Sequence, residues 1–197
     1  DRDGCFTGSA VIKDDKMYLL YTGHVNQESG YIETQNLAVS KDGIHFEKYD
    51  GNPVIKNPPA DTTMRFRDPK IWEKNGNYYA VIGGETEDKC GKVVYYRSRD
   101  LQEYTYCGAF ADSDGSIGNM WECPNFVQIG NTDVLIISPK GLEKENGFSA
   151  SFESGYMTGK MNYEEGMFSH ASYKKLDHGF DFYAPQVMEC GDRKILF

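Results

Sequence analysis

Ser40-Lys41-Asp42, with Phe46 four residues further on, returns as Ser98-Arg99-Asp100 with Tyr104, and every matched pair lies 58 residues apart (98 − 40, 100 − 42, 104 − 46). One such echo is weak, but apolar strand openings recur on the same scale, at 6–12, 67–72, 122–129 and 181–188. With Ser9, Asp68, Glu122 and Asp181 as anchors, the steps are 59, 54 and 59 residues (68 − 9, 122 − 68, 181 − 122). Self-similarity at this period marks a repeat architecture.

Each period reads as four strands. In the first, residues 7–12 turn through Lys13-Asp14-Asp15-Lys16 into 17–21, with further strands at 34–39 and 45–49. The second runs 69–72, a turn at Lys74-Asn75-Gly76-Asn77, then 78–82, 93–97 and 104–107. The third turns at Gly130-Asn131 into 134–137 and continues over 150–157. Almost nowhere does an apolar 3.6-residue period last twelve residues, so helices are not expected. Four-stranded units repeated around an axis are the blades of a β-propeller, and the expected fold class is all-β. The stretch 108–119 is too long for a plain hairpin and reads as a rim loop at the site.

Composition bounds the function classes. The 197 residues are enough for one domain, and 14 Tyr with 11 Phe favour strands. A net charge of −9 with no clustered Lys and Arg argues against a nucleic-acid partner. No apolar run is long enough to cross a bilayer as a helix, so no membrane partner is expected. The chain begins Asp1-Arg2-Asp3 without an initiator Met, and its natural N-terminus is expected upstream. Five cysteines, odd in number and without a C-x-x-C pair, suggest neither a disulfide framework nor a zinc site. His24, His45, His170 and His178 are scattered, so no metal is expected, and the simplest compartment is a reducing cytoplasm.

In a propeller the first strand of each blade lines the central channel, so residues at those strand starts converge. Asp68, Glu122 and Asp181 are expected at matching places in successive blades, with Glu122 opposite Asp68 across the funnel. Glu122 lies in Met120-Trp121-Glu122-Cys123-Pro124-Asn125, between an aromatic wall and a helix-forbidding proline. Desolvation there would raise its pKa and make it a proton donor. Two carboxyl groups facing a sugar are what glycoside hydrolysis needs, one to protonate the leaving oxygen and one to attack or activate water. Strand-leading acids that merely cap turns remain the plain alternative. Cys123 reads as a small packing residue, and Trp121 either as a core wall or as a sugar-stacking ring.

Phe6-Thr7-Gly8-Ser9-Ala10-Val11, Arg67-Asp68-Pro69, Trp121-Glu122-Cys123-Pro124 and Asp181-Phe182-Tyr183-Ala184-Pro185-Gln186 resemble four of the five signature motifs of glycoside hydrolase family 32, in the family's order. The resemblance covers essentially the whole chain. It implies a five-bladed propeller with a β-sandwich behind it, retaining hydrolysis of a β-fructofuranosyl bond, a small sugar as substrate and no cofactor. By this likeness Glu122 is the general acid/base and Asp68 the transition-state stabiliser that grips fructose hydroxyls. Arg67, Phe6 and Thr7 would line the fructosyl pocket. Sucrose or sucrose 6-phosphate is the expected substrate. A fructan, arabinan or xylan hydrolase and a non-catalytic carbohydrate-binding propeller are the alternatives.

Two departures stand out. Thr7 replaces the usual serine, keeping the hydroxyl and adding a methyl group. The family's nucleophilic aspartate belongs to an Asn-Asp-Pro-Asn motif that does not occur in these 197 residues. Residues 1–197 are therefore expected to be an internal piece of the catalytic propeller: blades two to four and the start of blade five, without the first blade and the sandwich. Such a piece is expected to lack turnover of its own and to self-associate through exposed blade faces.

Overall fold

The computed structural model describes residues 1–142, 153–179 and 182–197. Among these, every regular element is a strand, and the chain is a partial β-propeller. Its first blade is β1 (Gly4–Lys13), β2 (Lys16–Gln27), β3 (Gly30–Ser40) and β4 (Phe46–Lys48), antiparallel in sequence order. The second repeats the order with β5 (Phe66–Lys74), β6 (Asn77–Glu85), β7 (Gly91–Ser98) and β8 (Tyr104–Asp112). The third holds β9 (Met120–Ile129), β10 (Thr132–Lys140), β11 (Gly155–Asn162) and β12 (Met167–His170), with β13 (Lys174–Lys175) pairing on β11. A hairpin of β14 (Val187–Cys190) and β15 (Arg193–Leu196) follows. Most of the expected strands are present and longer than predicted, but the one expected at 45–49 is shorter, the one expected over 150–157 begins at Gly155, with 150–152 outside the described residues, and the opening expected over 181–188 is strand only from Val187.

The 58-residue echo is a hydrogen-bonded loop between the third and fourth strands. Ser40 Oγ accepts from the amides of Asp42 and Gly43, and Asp42 Oδ1 from those of Ile44 and His45. Ser98 and Asp100 make the same four bonds to Asp100, Leu101, Gln102 and Glu103. Short polar side chains bonding the backbone just ahead is why Ser and Asp recur there. The left-handed position is Gly43 (φ 75°) in one blade and Leu101 (φ 73°) in the other. Leu101 is fully buried, so packing offsets the strain a non-glycine residue carries there. Asp100→Ala removes two of these four hydrogen bonds and is expected to lower stability by about 1 kcal/mol in urea unfolding; an unchanged midpoint would mean that water replaces the carboxylate fully.

The core lies between blades, and the period-two alternation of β6 divides it. Tyr78, Ala80 and Ile82 face the first blade with Leu20, Leu37 and Ile71, while Tyr79 and Val81 face the third with Trp121, Phe126 and Leu135. Each such side chain removed from water contributes roughly 1.5–3 kcal/mol, so a blade is stabilised chiefly by its neighbours. Close approach of β9 to β6 depends on Gly83, where a Cβ would lie 2.1 Å from the Trp121 carbonyl oxygen. Trp121 is fully buried in this layer and its Nε1 donates to the Ile117 carbonyl, which makes it a core wall.

The inner strands share one irregularity, and it corrects the expected alignment. In β5 an extra residue is accommodated between Arg67, opposite Gly83, and Lys70, opposite Val81; in β9 the same happens between Glu122, opposite Ser138, and Asn125, opposite Ile136. A further shift falls between Cys5 and Gly8 in β1. Asp68 (φ 66°), Cys123 (φ 47°) and Ala184 (φ 55°) are left-handed, and each precedes a proline. Glu122 therefore corresponds to Arg67 and Tyr183, and Asp68 to Cys123; Asp68 and Glu122 do not occupy matching places. The recurring mark is the pre-proline bulge, which a count based on acidic residues misreads by one position. Asp181, the fourth anchor, lies outside the described residues. The expected rim loop is also corrected: 108–112 belong to β8, and nothing in 108–119 lines the cleft described below.

Candidate active site

The inner strands open onto a cleft of about 670 Å³. Phe6, Thr7, Arg67, Asp68 and Glu122, the five residues singled out from sequence, all line it. Bulges re-aim side chains, and here they turn the Arg67, Asp68 and Glu122 segments toward one another. Hydrogen bonds between blades lock the turned segments. Thr22 Oγ1 accepts the Asp68 amide at 2.9 Å, and Ser138 Oγ accepts the Ala184 amide at 3.0 Å. Ser9 Oγ donates to the Pro69 carbonyl and accepts the Ile71 amide, and Asn125 treats Pro185 and Val187 in the same way.

Glu122 is gripped from three sides. Its Oε1 accepts from Arg67 Nε at 3.0 Å and Nη2 at 2.6 Å, with Lys140 Nζ at 3.5 Å. Its Oε2 accepts from the Tyr183 hydroxyl. Burial pushes the carboxyl pKa up, but the Tyr183 and Arg67 hydrogen bonds and the charges of Arg67 and Lys140 outweigh it, and the group is held below its ordinary range. This overturns the expectation that a Trp-flanked Glu122 would be raised by desolvation. Trp121 turns into the core, and cations from other strands decide the proton affinity. Tyr183 moves the opposite way: burial and the adjacent carboxylate raise its pKa well above the phenol range, so it stays a donor.

Asp68 is the raised acid. It is 5% exposed, and burial lifts its pKa to about 6 against the lowering effect of the Cys123 amide and Arg67. Its Oδ2 accepts from the Cys123 amide at 3.0 Å and faces the Cys123 thiol at 3.5 Å. Asp68 and Glu122 thus sit side by side on adjacent blades, joined through Cys123, and are not opposed across a funnel. Cys123 keeps its proton, because burial first and Asp68 next push its pKa far up.

Arg67 bridges two carboxylates. Its Nη1 meets both oxygens of Glu33 at 3.2 and 3.1 Å while Nε and Nη2 serve Glu122. No ion pair joins Arg67 to Asp68 among the described residues, in keeping with adjacent strand residues diverging. Glu33 and His24 also line the cleft, and sequence reasoning missed both. His24 stacks on Phe6 with centroids 4.6 Å apart and points Nδ1 at Glu33 Oε1, 3.4 Å away. The legible signal for Glu33 was its register with Gln35 and Leu37 on the buried face of β3, where a charge requires a partner. Arg65 and Lys140 bring further positive charge to the cleft lining, whereas Lys70 donates to the Val187 carbonyl at 2.6 Å.

The chain is similar to characterised proteins over its whole length. It is 43% identical over 204 residues to the sucrose-6-phosphate hydrolase of Bacillus subtilis (strain 168), with 100% of the chain and 42% of that protein aligned. The GH32 β-fructofuranosidase of Bombyx mori superposes with a TM-score of 0.90 at 39% identity, covering 98% of this chain and 42% of that one. A mutant of that enzyme, solved in complex with sucrose, matches equally well. The chain spans about two fifths of the length of these relatives. The family described as glycosyl hydrolases family 32, N-terminal domain, matches residues 1–197, and the chain belongs to that family.

Proposed function

We propose that this chain is the acid/base-bearing part of a retaining β-fructofuranosidase that cleaves sucrose or sucrose 6-phosphate. The observation that carries the reading is the joining of Arg67, Tyr183 and Lys140 on Glu122 in one cleft, with Asp68 held by the amide of the adjoining Cys123. In this reading Glu122 donates a proton to the glycosidic oxygen as the bond to the fructosyl carbon breaks. Its Oε1 faces the cations, so a proton resides better on Oε2, beside the Tyr183 hydroxyl. In the empty cleft the cations keep Glu122 ionised. A bound sugar that removes its remaining 13% exposure raises its proton affinity, so the acid is armed by substrate. Asp68, ionised above about pH 6, places fixed negative charge beside the developing oxocarbenium centre. Phe6, stacked on His24, supplies an apolar wall for a sugar face.

The attacking carboxylate of a double displacement is proposed to come from a part of a longer protein that these residues do not span. Arg65 and Lys140 at the cleft suit a phosphorylated substrate, although each is paired with a carboxylate, Glu85 and Glu122 respectively. The five free cysteines accord with a reducing, cytoplasmic setting. The test is the full-length protein incubated with sucrose and with sucrose 6-phosphate, the first-formed fructose anomer being read by NMR. Release with retained configuration supports the proposal. Saturable sugar binding without release would identify a carbohydrate-binding propeller instead.

A further inference from the structure

Glu33 is 1% exposed, in the middle of β3, and a carboxylate buried that deeply persists only with partners. Its partners converge on one segment of the neighbouring blade. Oε2 accepts the Phe66 amide at 2.9 Å, and both oxygens meet Nη1 of the adjoining Arg67. Backbone and side chain at the start of β5 are thus held together by one group. A guanidinium is planar, and its two edges cannot turn independently. With Nη1 engaged by Glu33, the opposite edge, Nε and Nη2, is presented to Glu122 Oε1, and Oε2 is left to Tyr183.

We infer that Glu33 is a positioning residue for the reaction proposed above: it orients Arg67 and shares its charge, and through Arg67 it governs how readily Glu122 carries a proton. Burial alone would lower the Arg67 pKa; Glu33 first and Glu122 second hold it raised, so the cation is divided between two anions. Glu122 is faced by Arg67 and Asp68 from β5, Lys140 from β10 and the Tyr183 hydroxyl, with Cys123 adjoining it. Glu33 is faced by Arg67 and by His24 from β2. None of the groups at Glu122 replaces what Glu33 does, because among the described residues only Glu33 draws on the far edge of Arg67. Removing the Glu33 charge leaves Arg67 to be neutralised mainly by Glu122, and a carboxylate beside a less-shared cation binds its proton less tightly.

This inference rests on the acid/base reading, and its test separates the two. In the full-length protein, kcat/KM is compared for sucrose and for 4-nitrophenyl β-fructofuranoside, whose leaving group departs without protonation, and the pH profile of sucrose kcat reads the acid in the bound complex. Glu33→Gln keeps the shape and deletes the charge. Its sucrose kcat/KM should fall roughly tenfold at neutral pH, and the alkaline limb of sucrose kcat should move acidward by about one pH unit. The nitrophenyl substrate should change by less than about threefold. A purely structural Glu33 would depress both substrates alike and leave the limb in place, and that result overturns the inference. If Glu33→Gln does not fold, Glu33→Asp, which withdraws the charge by one methylene, should give the same split at smaller size; equal losses there also overturn it. Glu122→Gln is the control. If it separates the substrates and neither Glu33 variant does, only the role of Glu33 fails. If it leaves sucrose cleavage intact, the acid/base reading fails and takes the inference with it.

Discussion

Asp68→Asn is expected to stabilise the fold at neutral pH while removing turnover. Asp68 carries a pKa of about 6 in the folded chain against 3.8 for the unfolded group, and burial is the main cause. A carboxyl raised on folding adds stability that is fully present below the unfolded value and is lost as pH rises through the folded value. The native protein therefore bears a desolvated charge above about pH 6 that the variant does not. By linkage, a carboxyl raised this far carries a cost of about 3 kcal/mol once ionised, so the Asn variant should gain up to that amount at pH 7 and nothing below about pH 4. Asn keeps an oxygen for the Cys123 amide, so the bond between blades survives. Loss of the fixed charge should lower sucrose kcat by about 10²–10³. Thermal melts of the full-length protein between about pH 4 and 8 check the stability claim, and a variant gain that does not grow with pH would refute it.

Opposite pKa shifts on neighbouring carboxylates also explain what the sequence made legible. The repeat was readable because the Ser-x-Asp loop is made by side chains bonding their own backbone, so its chemistry is local. Strand positions followed from period-two alternation, and Phe6, Thr7, Arg67, Asp68 and Glu122 all reach the cleft as the motifs imply. What failed depends on partners distant in sequence. Glu122 reads as a raised acid from its neighbours Trp121 and Pro124, yet its proton affinity is fixed by Arg67, Tyr183 and Lys140 from other strands. Asp68 reads as a funnel-lining carboxylate, but its depth is set by a bulge and by the approach of Cys123 from another strand. Glu33 belongs to no motif, and its partner Arg67 comes from the neighbouring blade, so its place on the buried face of β3 is legible and its role is not. The one-residue misalignment of Asp68 with Glu122 has the same source, since the extra residue of a bulge is defined by the partner strand.

Glu122→Ala should lower sucrose turnover by about 10²–10⁴, and azide should restore cleavage of the nitrophenyl fructoside. Truncation removes the carboxylate and leaves Arg67, Lys140 and the Tyr183 hydroxyl around the vacated space, all of them donors that the native acid had satisfied. Arg67 keeps its Glu33 partner and stays in place, so the hole is preorganised for a small anion. With a leaving group that needs no proton, the fructosyl intermediate still forms, but water attacks slowly without a base. Azide needs none: it bonds to the fructosyl carbon as the bond to the enzyme carboxylate breaks, giving fructosyl azide of retained configuration. The alkaline limb of the pH profile should vanish in this variant, since no acid remains to lose its proton. Chloride at the same ionic strength should not accelerate the reaction, which separates nucleophilic rescue from screening of the exposed cations. If azide produces neither acceleration nor the azide adduct, Glu122 does not serve as the base of the second step. The cations around it would then be read as holding a structural carboxylate at the junction of two blades.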